Sequence, residues 1–142
     1  MGLTTDEKVA LLRRVELFAG LDPAALASVA DKAVEVEFAA GRSIVRQGEI
    51  GTGFFLIVDG SARVVRDDDV LATLGPGEFL GELSLLDHEP RTAHVIADRP
   101  TACLAIASWD FDALVRSTPD LAIGLLKGLA RRLRIADERA RA

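Results

Sequence analysis

The sequence predicts an α+β fold: an antiparallel β-roll, with helices before it and a long helix after it. Two observations carry this. Between Val34 and Ile106 the chain breaks into short runs rich in β-branched and aromatic residues, each closed by Gly, Pro or Asp clusters. Many short strands with frequent turns favour a barrel or double-sheet roll over a parallel α/β sheet. On either side stand helix-start signals followed by apolar residues at helical spacing. With 142 residues, 49% of them hydrophobic, the chain holds one domain of ordinary size. That single domain, 1–142, divides into a helical leader over 4–33, the roll over 34–107 and C-terminal helices over 108–142.

Each element has its own signal. Thr4 with Glu7 three residues on makes a capping box, and Val9, Leu11, Leu12 and Val15 extend it into a helix over about 4–16. Asp22 before Pro23 is an N-cap followed by a first-turn proline, with Leu26, Val29, Ala30 and Ala33 as the buried face. Strands follow at Val34 to Phe38, Ser43 to Val45, Phe54 to Val58, Ala62 to Val65, Val70 to Leu74, His94 to Ile96 and Thr101 to Ile106. Ala40-Gly41, Gly48-Glu49, Asp59-Gly60, Asp67-Asp68-Asp69 and Gly75-Pro76-Gly77 supply the turns. Ser108 is expected to cap a helix through Phe111, Leu114 and Val115, with Trp109 anchoring it to the roll. Thr118-Pro119 starts the last and longest helix.

Composition narrows the function. Seventeen Lys and Arg against 22 Asp and Glu leave a net charge of −5, the wrong sign for gripping nucleic-acid backbones, so no direct nucleic-acid partner is expected. One cysteine, Cys103, forms no intramolecular disulfide and fits a reducing, cytoplasmic setting as a packed thiol. No apolar stretch approaches the ~20 residues of a membrane helix, and the first residues form no export leader, so no membrane partner is expected. His88 and His94 have no companion at metal spacing, and Asp67-Asp68-Asp69 lacks the spaced oxygens of a calcium loop. Gly51-Thr52-Gly53 is not followed by Gly-Lys-Ser/Thr and is no triphosphate loop.

The chemistry concentrates in 79–93. Gly81 allows close backbone approach, and Leu83 to Leu86 is short enough for one helical turn, whose free N–H groups would meet an anion. Arg91, set by Pro90, offers that anion a bidentate charge-assisted bond. Glu82 would repel a phosphate and suits a neutral donor such as a ribose hydroxyl. A phosphate and a sugar held together describe a cyclic nucleotide.

On these residues the segment resembles the phosphate-binding cassette of the cyclic nucleotide-binding domain, shared by regulatory subunits of cyclic-AMP-dependent kinase, gated ion channels and the bacterial catabolite activator. Leu17-Phe18-Ala19-Gly20-Leu21, Gly41, Gly48-Glu49, Phe54-Phe55-Leu56-Ile57, Gly60 and Leu129-Ala130-Arg131-Arg132-Leu133 extend the resemblance over nearly the whole chain. It implies a jelly-roll-like double sheet with a short cassette helix. Its ligand would be cyclic AMP in the first place, with cyclic GMP as the alternative, and with no cofactor, no metal and no catalytic residue. Carried over, Glu82 binds the ribose 2′-hydroxyl, Arg91 the cyclic phosphate, and the N–H groups of Gly81, Leu83 and Ser84 complete the phosphate shell. Thr92 would reach the phosphate or a guanine amine, next to Ala93, and Leu129, Leu133 and Asp137 would face the base. Two departures stand out. Gly51-Thr52-Gly53 lacks the acidic residue that often steadies the arginine, and Ala136 and Asp137 replace two hydroxyl residues that the catabolite activator offers to adenine.

Three functions compete at this stage. A cyclic-nucleotide sensor is the first. A ligand-free interaction domain uses the same scaffold, and a cupin-type enzyme would need a metal held by several histidines. With two histidines and no His-x-His pair the enzyme is disfavoured. Leu126, Leu129, Leu133, Ala136 and Ala140 recur at spacings of three and four, a coiled-coil seam that predicts a parallel homodimer through 119–140. With no output domain expected, occupancy would pass through self-association or a separate protein effector.

Overall fold

The structure, a computed structural model, describes residues 2–48, 53–80 and 93–141. Helix α1 (Thr5–Arg13) begins at the predicted capping box: the Glu7 N–H donates to Thr4 Oγ1 at 3.1 Å, and the Thr4 N–H donates to the Glu7 carboxylate. It stops earlier than the apolar spacing suggests. Val15 is extended, and a separate short helix α2 (Glu16–Ala19) follows. In one unbroken helix Leu17 would point well round from Leu12. The break buries Leu12, Val15, Leu17 and Phe18 together. Helix α3 (Pro23–Lys32) starts as expected, with the Ala25 N–H donating to the Asp22 carboxylate at 2.8 Å.

Two antiparallel four-stranded sheets follow. One has the order β1 (Val34–Phe38), β8 (Thr101–Ala107), β3 (Gly53–Asp59), β6 (Phe79–Leu80). The other has the order β2 (Ser43–Val45), β7 (His94–Ala97), β4 (Ala62–Arg66), β5 (Asp69–Leu74). The expected strands are present, and β6 is additional. Between the sheets lie Ile44, Ile57, Ala62, Leu80, Val95 and Cys103, contributed by both inner faces. Asp67 and Asp68 both have positive φ, 49° and 71°, as primed two-residue hairpin turns require, so the acidic run is a hairpin tip.

The other face of the first sheet carries the helices, and Phe54 is their common contact. Its ring meets Phe18 of α2 edge-on at 5.8 Å and stacks on Phe111 at 5.3 Å, while Phe79 lies 5.5 Å away. Helix α4 (Ser108–Ser117) corrects two expectations. Ser108 is its first residue, not its cap. Ala107 holds the N-cap position without a side-chain bond, because β8 keeps Ala107 paired with Gly53 up to the strand end. Trp109 is 70% exposed and does not anchor the helix to the described strands; the helical turn carries it away from the face on which Phe111 and Leu114 are buried.

Helix α5 (Pro119–Arg141) buries Leu121 and Leu125 against the domain. Gly124 lets its backbone come close to α2: a Cβ there would stand 2.7 Å from the Leu17 carbonyl oxygen. Leu125 therefore belongs to the domain core. Ile123, Leu126, Leu133 and Ile135 remain exposed.

Candidate functional site

The described residues show how the two ends of the predicted cassette are held. On the N-terminal side, Gly77 takes a φ of +87°, which glycine adopts without strain. Its N–H donates to the Ile57 carbonyl at 2.8 Å, and the Ile57 N–H donates to the Glu78 carbonyl at 2.9 Å. That clamp delivers Phe79 and Leu80 into register with Leu56 and Phe55 of β3. On the C-terminal side Ala93 is buried, and His94 begins β7 opposite Val65. The chain thus leaves one sheet at Leu80 and rejoins the other at His94. Its ends are fixed on both walls of the roll.

Gly81, Glu82, Leu83, Ser84, Arg91 and Thr92 lie outside the described residues, as does the expected cassette helix. Of the residues assigned to the base, Leu129 is half-buried, Leu133 is 70% exposed and Asp137 is exposed, all on α5 beyond the last buried leucine, Leu125. The side chains of Ala136 and Ala140 are also outside the described set. Ala93 and α5 are therefore the parts of the predicted site that the described structure positions.

The model of the cyclic nucleotide-binding domain family matches residues 35–118, which contain the roll from Glu35 onward and the cassette. The chain belongs to this family. The Cyclic AMP receptor protein of Thermus thermophilus is 42% identical over 102 residues, which cover 68% of this chain and 47% of that protein. A CRP-like cAMP-activated global transcriptional regulator of Mycobacterium tuberculosis is 33% identical over 132 residues, 87% of this chain and 58% of the regulator. The chain spans about half the length of these curated relatives. Among solved structures, the Thermus thermophilus catabolite activator protein superposes with a TM-score of 0.81 at 37% identity, over 88% of this chain and 61% of that one. The double-sheet roll with its long C-terminal helix is thus the fold of the cyclic nucleotide-binding domain.

Within this domain the remaining chemistry is modest. Burial pushes the Cys103 thiol from its ordinary value near 9.0 up to about 11, so it is a packed side chain, as expected. His94 is half-buried, and its Nδ1 accepts a hydrogen bond from the Gln47 N–H at 3.2 Å. A cavity of about 460 Å³ beside the β7–β8 turn is lined by Glu37, Phe38, Asp59 and Thr101 among others. Its two carboxylates would repel a cyclic phosphate, and among the described residues none of those predicted for the site lines it. The motif did not reveal the clamp at Ile57 or the Phe54 contacts. Gly77 hinted at the first, but both depend on pairings distant in sequence.

Proposed function

We propose that this chain is a regulatory sensor domain that binds a cyclic nucleotide, cyclic AMP in the first place, and catalyses no reaction. The observation that carries the reading is the cassette sequence Gly81-Glu82-Leu83-Ser84 through Arg91-Thr92, in a chain of this family, strung between β6 and β7 on opposite walls of the roll. Arg91 holds the phosphate, with the N–H groups of Gly81, Leu83 and Ser84. Glu82 accepts from the ribose 2′-hydroxyl, and Leu129, Leu133 and Asp137 face the base. Two relatives named for cyclic AMP support that nucleotide.

Occupancy is transmitted through α5. Ligand that contacts α5 in one position more than another biases that position, which is what a sensor requires. Exposed Leu126 and Leu133 support a parallel homodimer through 119–140, with a separate protein effector as the alternative output. Residues 1–142 act as one domain in the cytoplasm, in contact with neither membrane nor nucleic acid.

Calorimetric titration with cyclic AMP and cyclic GMP side by side tests binding and base choice together. Saturable binding with cyclic AMP the tighter ligand is expected. Heat from neither nucleotide would leave a ligand-free interaction domain.

A further inference from the structure

We propose that the cavity beside the β7–β8 turn is a docking site for an arginine side chain of a partner protein. It is independent of the nucleotide site: the cassette leaves the same sheet from β6, two strands away from β8. Strand register builds the cavity. Ala102 of β8 stands opposite Glu37 of β1 on one side and opposite Asp59 of β3 on the other. Residues opposite one another on neighbouring strands share a face, so the two carboxylates flank a single methyl group. With strands about 4.8 Å apart, the two acidic residues have backbones roughly 10 Å apart, and the small Ala102 leaves the gap between them open. All three line the cavity of about 460 Å³, and Phe38 and Pro100 supply apolar wall.

Charge calls for a cation. Among the described residues no hydrogen bond or ion pair engages Glu37 or Asp59, whereas Asp98 and Asp112 are each paired with an arginine. Arg99, beside Pro100, directs its Nε to Ser61 Oγ at 3.3 Å. Like charges held around one methyl repel each other, and a cation between them removes that repulsion. Shape selects the cation. The volume falls within the roughly 300–1,000 Å³ of pockets that hold organic groups, and among the described residues no three His, Cys, Asp or Glu side chains come together as metal ligands. An ammonium is a point charge, whereas a guanidinium is a planar fork whose five donors serve carboxylates on two sides. Its methylene stem packs against apolar wall. Glu37, Asp59 and Pro100 are exposed, so a side chain carried by a segment lying across this rim can enter. The floor is fixed beforehand. Thr101 is buried, and its Oγ1 donates to the Arg99 carbonyl at 2.8 Å and accepts the Ser61 N–H at 3.3 Å. Gly60, next to Asp59, has a φ of +99°, and a Cβ there would stand 2.5 Å from Thr101 Oγ1. A site ordered in advance spends less free energy on ordering when it binds.

The test is NMR titration of the isotope-labelled chain, without nucleotide, with blocked pentapeptides Gly-Ala-Xaa-Ala-Gly in which Xaa is arginine, lysine or citrulline, the neutral isostere of arginine. The arginine peptide should shift the Glu37, Asp59 and Ala102 amides with a dissociation constant on the order of a millimolar. Lysine should bind at least about threefold more weakly, and citrulline should leave these amides unmoved. Acetyl-arginine amide should bind about threefold more weakly than the arginine peptide, whose flanking chain lies across the rim. Glu37→Gln and Asp59→Asn keep side-chain size at exposed positions, and each should weaken the arginine peptide about tenfold, the scale of a charge-assisted hydrogen bond. Equal shifts from all three peptides, no shift from the arginine peptide, or variants that bind as the parent does overturn the site. Acetyl-arginine amide binding as tightly as the peptide overturns the protein partner in favour of a free guanidino compound. Because no nucleotide is present, each outcome stands apart from the function proposed above.

Discussion

Cys103 lies between the two sheets, and the rise of its thiol to about 11 makes stability depend on alkaline pH. The folded protein holds this proton more tightly than the unfolded chain, so the group's contribution is complete below about pH 9 and is lost as pH rises through about 11. With no tyrosine in the chain, the alkaline window is clear of phenol titration. Denaturant unfolding should show the parent losing about 2–3 kcal/mol more than Cys103→Ala across that window. Parallel losses would mean that the thiol ionises freely in the folded state. Asp68 offers a second residue-scale test. Its φ of 71° is costly for a residue with a Cβ, and the hairpin position favours glycine. Asp68→Gly should raise stability by about 0.5–1 kcal/mol, read as a higher denaturant midpoint at unchanged slope.

Two glycines on α5 separate propensity from packing. Gly124 and Gly128 share one helix, yet a Cβ at Gly124 would stand 2.7 Å from the Leu17 carbonyl oxygen while one at Gly128 meets nothing among the described residues within 4 Å. Helix propensity favours alanine at both by about 1 kcal/mol, and forcing a methyl into a filled contact costs about 1–3 kcal/mol. Gly128→Ala should therefore stabilise and Gly124→Ala destabilise by about 1 kcal/mol; the same sign in thermal unfolding of both would contradict the α2–α5 contact. These elements also show what local pattern reveals. The strands of the roll were legible because each ends in a turn cluster, and the capping box and Asp22-Pro23 because helix starts are local chemistry. The break between Arg13 and Glu16 was not legible, since it serves the joint burial of Leu17 and Phe18. Trp109 misled for a related reason: large aromatic residues are usually anchors, and only the phase of α4 against the sheet shows that Phe111 takes that place. For the proposed site the sequence offers a run of residues, Gly81 to Thr92, whereas what α5 meets beyond Leu125 depends on packing that no local pattern records.

At the scale of the whole molecule, charge and apolar surface are unevenly placed. From Asp120 onward α5 carries six basic residues against three acidic ones, a local +3 in a chain of −5, next to exposed Leu126 and Leu133. Leu133→Glu puts a charge both in the proposed seam and against the proposed base site. It should shift a dimer toward monomer in sedimentation and weaken cyclic AMP binding together. A parent that sediments as a monomer at tens of micromolar, with and without nucleotide, would remove the dimer while leaving the pocket assignment standing. The proposed pocket would depend on Arg91 more than on any other side chain. Removing one partner from a largely buried charge pair costs about 3–5 kcal/mol, on the order of a hundred- to a thousand-fold in affinity. The most direct measurement is calorimetric titration of cyclic AMP into the parent and Arg91→Ala, with thermal unfolding to establish that the variant is folded. The account predicts a folded variant whose binding is weaker by at least about a hundredfold; a folded variant that binds within about threefold of the parent would contradict the assignment of Arg91 and, with it, the cassette.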